Sequence, residues 1–172
     1  NLNDVTKRYC VEAAQRVMDE RWGTAARSVV LLNNPRTLVA APIATLTNLR
    51  DSLDEIGAAM DPDEDVAMVY VSTRGRPDGA LEMRMPPLEL VPITPALLRG
   101  AFDDAGIRYR IVVVSACHAG AFVDELADDD TAVIVASSSG HGSSGCDRGS
   151  VATAFGEAFF QRGMAKAAGL AE

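Results

Sequence analysis

The sequence predicts an α/β protein in which a mostly parallel sheet is covered by helices on both faces, giving three layers. Three apolar, β-branched runs occupy residues 66–71, 111–115 and 131–136. Amphipathic segments at 46–60 and 94–105 precede the first and the second of these runs. Alternation of strands and helices is typical of parallel sheets, whose functional sites lie at the carboxyl ends of the strands.

The first helix is predicted from Asp4 to about Trp22, because apolar residues recur there with a period close to that of an α-helix. The short apolar run Ser28–Leu32 is read as a strand, closed by an Asn-Asn-Pro turn. Leu46–Met60 carries apolar residues on one face and acidic residues on the other, which predicts an amphipathic helix.

A proline-rich segment, residues 76–92, follows the strand Val66–Val71 and is predicted to form an edge hairpin or a long irregular loop. Thr94-Pro95 has the form of a helix start, and Gly106 ends that helix. Phe122–Leu126 is predicted to form a short helix, and Thr131–Ala136 a strand. Ser137–Ser150 is predicted to be a loop, and the final helix runs from Val151 to about Ala168.

Composition limits the classes of partner. The chain has 172 residues, a net charge of −8 and a pI near 4.7, so nucleic acid and anionic membranes are not expected to bind it. Its 3 cysteines predict reduced thiols rather than a disulfide framework. No apolar run has the length of a membrane-spanning helix, so direct membrane insertion of this chain is not expected. Compartment and oligomeric state are left open.

Two strand ends carry the candidate chemistry. The run Ile111–Ser115 leads through an alanine to Cys117, and the run Val66–Val71 leads through Ser72-Thr73 to Arg74 and Gly75. A buried parallel strand delivers such a residue to the carboxyl edge of the sheet, so Cys117 is the candidate nucleophile. The alternative is a buried, inert cysteine, because cysteine is among the most buried residue types.

These residues resemble a known family. An apolar strand ending in Ser/Thr-x-His-Gly, followed some forty residues later by an apolar strand ending in Ala-Cys, is the signature of the legumain-like cysteine peptidases. The resemblance also covers further segments of the chain and looks closest to the bacterial members. The sequence departs from the family at Arg74, which stands where the family has its catalytic histidine. The further segments are 28–37, 41–49, 78–79, 128–131, 143–146 and 155–160.

The resemblance implies the caspase–hemoglobinase fold, a three-layer α/β/α sandwich around a mostly parallel sheet. In that family a strand and its loop precede the first helix, so this sequence apparently lacks the first strand. It implies a single legumain-like peptidase domain over residues 1–172, forming part of a longer chain. It also implies peptide or protein substrates and no cofactor.

Catalysis in such a site needs a thiolate, donors for the oxyanion and a group that protonates the departing amine. The resemblance implies that the backbone N–H groups of Gly75 and Cys117 are the oxyanion donors. Arg74 cannot exchange protons, although its positive charge favours a nearby thiolate. The sequence therefore predicts a nucleophilic site in which peptide cleavage is impaired.

Two histidines, His118 and His141, are candidates for the missing base. His118 follows Cys117 directly and should point away from the thiol, since neighbouring residues at a strand end face opposite ways. His141 lies in a loop that could cross the site, and its alternative is an exposed loop histidine. The two histidines together with Cys117 and Cys146 match no common zinc-binding spacing, so no metal is predicted.

The resemblance places the substrate pocket at Ser138, Ser139 and Ser143, with Glu157 as a pocket acid, and the family prefers Asn or Asp before the cut bond. Glu157 could instead lie on the solvated face of the last helix.

Three readings stay open: an impaired peptidase or non-catalytic peptide-binding pseudoenzyme, an active cysteine hydrolase or transferase with His141 as its base, and an active peptidase in which Arg74 is a variant or engineered substitution.

Overall fold

The computed structural model of the protein describes residues 2–141 and 153–168. The chain divides into two compact units, the first formed by Asn1–Val30 with Ser144–Glu172 and the second by Leu31–Ser143. The elements in chain order are α1 (Leu2–Arg21), α2 (Leu46–Ala59), β1 (Val66–Ser72), β2 (Arg74–Gly75), β3 (Leu81–Glu82), α3 (Pro95–Asp104), β4 (Tyr109–Ser115), α4 (Ala121–Leu126), β5 (Thr131–Val135), α5 (Ala154–Gly156) and a π-helix (Glu157–Met164).

In the first unit, α1 packs on the π-helix, and the Trp22 indole donates a hydrogen bond of 3.1 Å to the carbonyl of Met164. The predicted first helix is confirmed. The predicted final helix is present over Ala154–Met164, and its last two turns are π-helical, bonding from residue i to i+5, as Ala165 N–H does to Phe160 O at 2.9 Å. Over only 8 residues an apolar pattern cannot separate a π-helical from an α-helical repeat.

The prediction of a strand at Ser28–Leu32 is wrong. The described structure has no strand there, and the Leu32 N–H bonds singly to the carbonyl of Pro42 at 2.9 Å. Val29 is 47% exposed. A short apolar run becomes a strand only where a neighbouring strand offers a ladder of hydrogen bonds, which the sequence pattern does not reveal.

The second unit contains the parallel sheet, in the order β1-β4-β5. Val112, Val113 and Val114 of the central strand are each 0% exposed. Because successive side chains of a strand point to opposite faces, both faces of β4 are covered. Val112 and Val114 join one core cluster with Leu98 and Phe102 of α3. The predicted α/β fold with a parallel sheet flanked by helices is confirmed.

Two helices begin where the sequence predicts. Thr45 caps α2 through a hydrogen bond from Asn48 N–H at 3.0 Å, and Thr94 caps α3 by accepting from Leu97 N–H at 3.2 Å. Each hydroxyl satisfies a backbone donor that the first helical turn leaves free. The caps fix where α2 and α3 start relative to the strands that follow them.

The proline-rich segment after β1 is partly a hairpin. Its two short strands, β2 and β3, pair antiparallel, with Arg74 opposite Glu82 and Gly75 opposite Leu81. The rest is irregular: Met83 and Met85 are buried, whereas Leu88 and Val91 are 50% and 59% exposed. The prediction of an edge hairpin or an irregular loop is confirmed only in part, because β2 precedes residue 76 and pairs with β3 in a sheet of their own. Leu81 and Met83 join the core cluster and fix the hairpin on the core.

At the amino-terminal edge of the sheet, a turn leads into β5. The Thr131 side chain donates a hydrogen bond to Asp128, and this bond, the backbone of Asp130 and the Arg99 guanidinium lower the pKa of Asp128 below its ordinary value of 3.8. The folded state therefore binds a proton at the Asp128 carboxylate less tightly than the unfolded chain does. The carboxylate stabilises the fold at neutral pH, and this contribution is lost as the pH falls below 3.8.

Thr131→Val should raise the pKa of Asp128 toward its ordinary value, because the largest of the lowering contacts is the Thr131 hydrogen bond. Arg99→Gln should also raise it, and Thr131→Ser, which keeps the hydroxyl, should preserve the low pKa. Carboxyl-carbon NMR titration of Asp128 measures all three. An unchanged pKa of Asp128 in Thr131→Val would contradict the assignment.

Candidate active site

The two candidate strand ends lie side by side. β1 and β4 are parallel neighbours in a register that ends with Ser72 opposite Ser115. The Thr73 N–H then bonds to the carbonyl of Ser115 at 3.3 Å, which extends the pairing beyond both strands. Arg74-Gly75 and Ala116-Cys117 therefore leave the same edge of the sheet together.

Gly75 lies directly against the backbone of Cys117. A Cβ atom at position 75 would overlap the carbonyl group of Cys117 and lie 3.2 Å from its nitrogen. Only a residue without a side chain permits this approach. The predicted neighbourhood of Arg74-Gly75 and Cys117 is confirmed in geometry, while their catalytic roles stay predictions.

Cys117 is partly exposed, whereas the residues on both sides of its turn are buried: Ser115 is 4%, Ala116 is 1% and Ala119 is 1% exposed. His118 then adopts a φ of 55°, in the left-handed region that residues other than glycine rarely enter. The chain thus turns sharply after Cys117 and enters α4 at Ala121. Strained backbone of this kind is frequent at functional sites.

His118 is held by the loop that follows β5. Its backbone N–H donates to the carbonyl of His141 at 3.1 Å, and its ring Nδ1 lies 3.1 Å from the carbonyl of Ser139. A carbonyl only accepts, so Nδ1 carries a proton, and in the neutral ring Nε2 is the atom free to accept one. The sequence predicted only that His118 points away from the thiol and did not reveal this contact between two loops.

His141 pairs with a serine of its own loop. Its Nδ1 lies 2.8 Å from the Ser138 hydroxyl, and its N–H donates to the Ser138 carbonyl at 3.2 Å. Both side chains are exposed. The structure thus brings Ser138, Ser139 and His141 to the edge that carries Cys117, through the bonds of Ser139 and His141 to His118.

Two residues that fix this edge were missed by sequence reasoning. The Ser137 hydroxyl donates to the carbonyl of Ala116 at 2.9 Å and so ties the loop to the residue before Cys117. A Cβ atom at Gly120 would lie only 3.0 Å from the carbonyl carbon of Ser138 and would overlap Ser139. The available signal was the small-residue turn between Cys117 and α4.

Arg74 is the uncompensated cation of the hairpin. Its side chain is exposed and forms no hydrogen bond or ion pair with residues 2–141 or 153–168. Glu82, directly opposite in the register, lies 3.7 Å from Arg84 instead. Asp78 is likewise occupied, at 2.7 Å from Arg76. Within the described residues the Arg74 guanidinium is therefore unpaired, in a chain whose net charge is −8.

The remaining residues of the predicted site are Glu157, Ser143 and Cys146. Glu157 begins the π-helix of the first unit, exposed and 3.8 Å from Arg162. Its pocket role stays a prediction, as does that of Ser138 and Ser139. Ser143 and Cys146 lie outside the described residues. Within the described part of the chain, no three His, Cys, Asp or Glu side chains are grouped as metal ligands, and no helix is long and apolar enough to cross a membrane.

The strand order and the parallel register define the class of the protein as α/β with a parallel sheet flanked by helices. Residues 48–170 match the model of the peptidase C13 family. The chain therefore belongs to this family, the family of legumain, and its resemblance to legumain-like cysteine peptidases is confirmed. Among curated proteins, none matches the sequence. The prediction of a single domain stays a prediction, since the matched region includes parts of both units.

Gly75→Ala should destabilise the protein by about 1–3 kcal/mol, because the new methyl group must push the Cys117 backbone away. Gly140→Ala is the matched control on the same edge, since a Cβ atom there meets nothing within 4 Å. Its effect should stay within about 0.5 kcal/mol. Urea unfolding measures both free energies. Equal stabilities for the two variants would contradict the close approach of Gly75 to Cys117.

Proposed function

We propose that this domain is a legumain-type cysteine peptidase domain with Cys117 at the nucleophile position, in which Arg74 replaces the histidine and peptide hydrolysis is impaired. The observation that carries this proposal is the contact between the Gly75 backbone and Cys117 at adjoining strand ends. The family match supports peptides or proteins as the ligand class.

Backbone geometry supports Gly75 as an oxyanion donor. The Arg76 N–H donates to Ala80 O at 2.8 Å, on the side of the hairpin that faces β3. Alternate N–H groups of a strand point to opposite edges, so the N–H of Gly75 is directed away from β3. It can donate to a peptide carbonyl held at Cys117, where negative charge develops during thiolate attack.

Arg74 removes the proton shuttle from this arrangement. A guanidinium stays protonated in proteins, so it neither takes a proton from the thiol nor gives one to a departing amine. A histidine does both, since it gains and loses a proton near neutral pH. An activated ester needs no such proton: the S–C bond forms, the C–O bond breaks and a stable phenolate leaves. The site is therefore expected to acylate on esters and to leave ordinary peptides uncut.

A second candidate function is an active cysteine hydrolase or transferase with a relocated base. It is favoured by the two imidazoles at this edge, His118 with Nε2 as its free acceptor and His141 beside Ser138. His141 is the favoured base of the two, because a loop from the next strand can cross the site. A non-catalytic peptide-binding role and a variant Arg74 in an active peptidase are further readings.

Arg74→His should create peptide cleavage, because Gly75 and Cys117 are retained and a proton shuttle is added beside them. The gain should be about 10²-fold or more over the parent protein. The measurement is hydrolysis of a peptide panel varied at the residue before the cut.

Arg74→His combined with Cys117→Ala is the control and should show no cleavage. A folded Arg74→His protein without any gain would contradict the proposal that the missing histidine causes the defect. Cleavage by the parent protein that is lost in His141→Ala would establish the second candidate instead.

Cys117 should react with iodoacetamide at least about tenfold faster than Cys10, because the Cys117 residue is partly exposed whereas Cys10 is buried. Cys10 is 4% exposed, and its sulfur accepts a hydrogen bond of 3.3 Å from Thr153 N–H. Peptide mass mapping after timed alkylation gives the rate at each thiol, including Cys146.

Alkylation of the denatured protein is the control, in which all thiols should react at similar rates. If Cys117 reacts no faster than Cys10 in the folded protein, Cys117 is a structural cysteine and not a nucleophile. Turnover of an activated ester, measured in parallel and absent in Cys117→Ser, tests whether the same thiol forms an acyl-enzyme.

A further inference from the structure

We infer that His118 is a positioning residue for peptide binding: its imidazole holds the loop after β5, residues 137–141, against the turn that carries Cys117, so that this loop forms one wall of the peptide site. This inference rests on the proposed function, since it uses a peptide bound at Cys117. It gives His118 a role in binding, whereas the second candidate function would make a histidine the base.

The loop after β5 contacts the chain on both sides of Cys117. The Ser137 hydroxyl donates to the carbonyl of Ala116, the residue before the cysteine, at 2.9 Å. The N–H of His118, the residue after the cysteine, donates to the carbonyl of His141 at 3.1 Å. A peptide bound at Cys117 therefore has this loop as an immediate neighbour.

The imidazole of His118 supplies a third contact to the same loop. Its Nδ1 donates to the carbonyl of Ser139 at 3.1 Å, since a carbonyl only accepts. Gly120 allows the loop to come this close, because a Cβ atom there would overlap Ser139. The backbone of Ser139 is thus held by a donor from the ring beside a glycine that leaves it room.

His118 carries its ring at a backbone position that favours glycine. Its φ of 55° lies in the left-handed region, which costs free energy for a residue with a Cβ atom. A glycine would make the same turn without that strain, but it would offer no donor to Ser139. The ring, and not the backbone, is therefore what a histidine contributes at this position.

A positioning role and a role as base have different kinetic consequences. A loop that is held in place does not have to be ordered when a peptide binds, so losing the ring should weaken the binding of a peptide. It should not slow the attack of the thiolate once the peptide is bound. Loss of a base does the opposite, because a base acts in the reaction of the bound complex.

The experiment compares the acylation of Cys117 by Ac-Ala-Ala-Asn p-nitrophenyl ester and by p-nitrophenyl acetate, which is too small to need the loop. In both reactions the thiolate forms the S–C bond, the C–O bond breaks and nitrophenolate leaves, and its burst in a single turnover is recorded. His118→Gly should raise the half-saturating concentration of the peptidyl ester about three- to tenfold, the effect of one hydrogen bond. The limiting rate and the acylation by acetate should stay within about twofold.

His118→Asn is the rescue variant. Relative to Cα, the Nδ2 of asparagine occupies the place of the imidazole Nδ1 and can donate to Ser139, and asparagine tolerates a left-handed φ. This variant should restore most of the binding of the peptidyl ester, although asparagine cannot act as a base. Failure to restore it would show that the bond to Ser139 is not the cause and would overturn the inference.

Ala26→Gly is the matched control for the backbone. Ala26 has a φ of 63°, so glycine relieves the same kind of strain there as at His118. It is exposed and belongs to the first unit, whereas Cys117 belongs to the second. Ala26→Gly should leave the acylation by both esters unchanged.

Equal losses for both esters in His118→Gly would make His118 a structural part of the turn and overturn the inference. A lower limiting rate at an unchanged half-saturating concentration would make it the base and also overturn it. No effect on either ester, or a parent protein that accepts acetate and not the peptidyl ester, would overturn it while leaving Cys117 a nucleophile. If neither ester acylates the parent protein, the inference fails together with the nucleophile of the proposed function.

Discussion

The site depends on one steric constraint, the close approach of the Gly75 backbone to the carbonyl of Cys117. That approach is possible because β1 and β4 are parallel neighbours whose ladder ends at Ser72 and Ser115 and is continued by Thr73. The Thr73 hydroxyl also bonds to the carbonyl of Glu82 at 2.6 Å, so the same residue ties the hairpin to the sheet. The ends of the two neighbouring strands, β1 and β4, are thereby joined at one edge of the sheet.

This constraint separates what the fold requires from what the chemistry requires. Gly75 is needed sterically whether or not its N–H stabilises an oxyanion, so its presence alone does not argue for catalysis. Arg74 is exposed and its side chain is not used in packing. The fold therefore does not depend on which side chain stands at position 74.

The loop after β5 gives the edge a second layer of support. Its contacts run from Ser137 to Ala116, from Ser139 to His118 and from His141 to His118. They hold the left-handed residue that turns the chain away from Cys117, a conformation that costs free energy unless its surroundings fix it. The backbone of Cys117 is consequently held on both sides, by Gly75 and by this loop.

The sequence by itself determined the order of elements, the strand ends that meet and the family, because buried parallel strands are continuous β-branched runs and the glycine and cysteine turns follow them directly. It misjudged Ser28–Leu32 and did not reveal the π-helical bonding of the last helix, where the outcome depends on hydrogen-bond partners rather than on local pattern. Only the tertiary structure decided that Glu82 pairs with Arg84, that Arg74 has no partner among the described residues, and that His118 is held by Ser139. Contacts between residues far apart in sequence depend on distances of a few ångströms, which no spacing along the chain specifies.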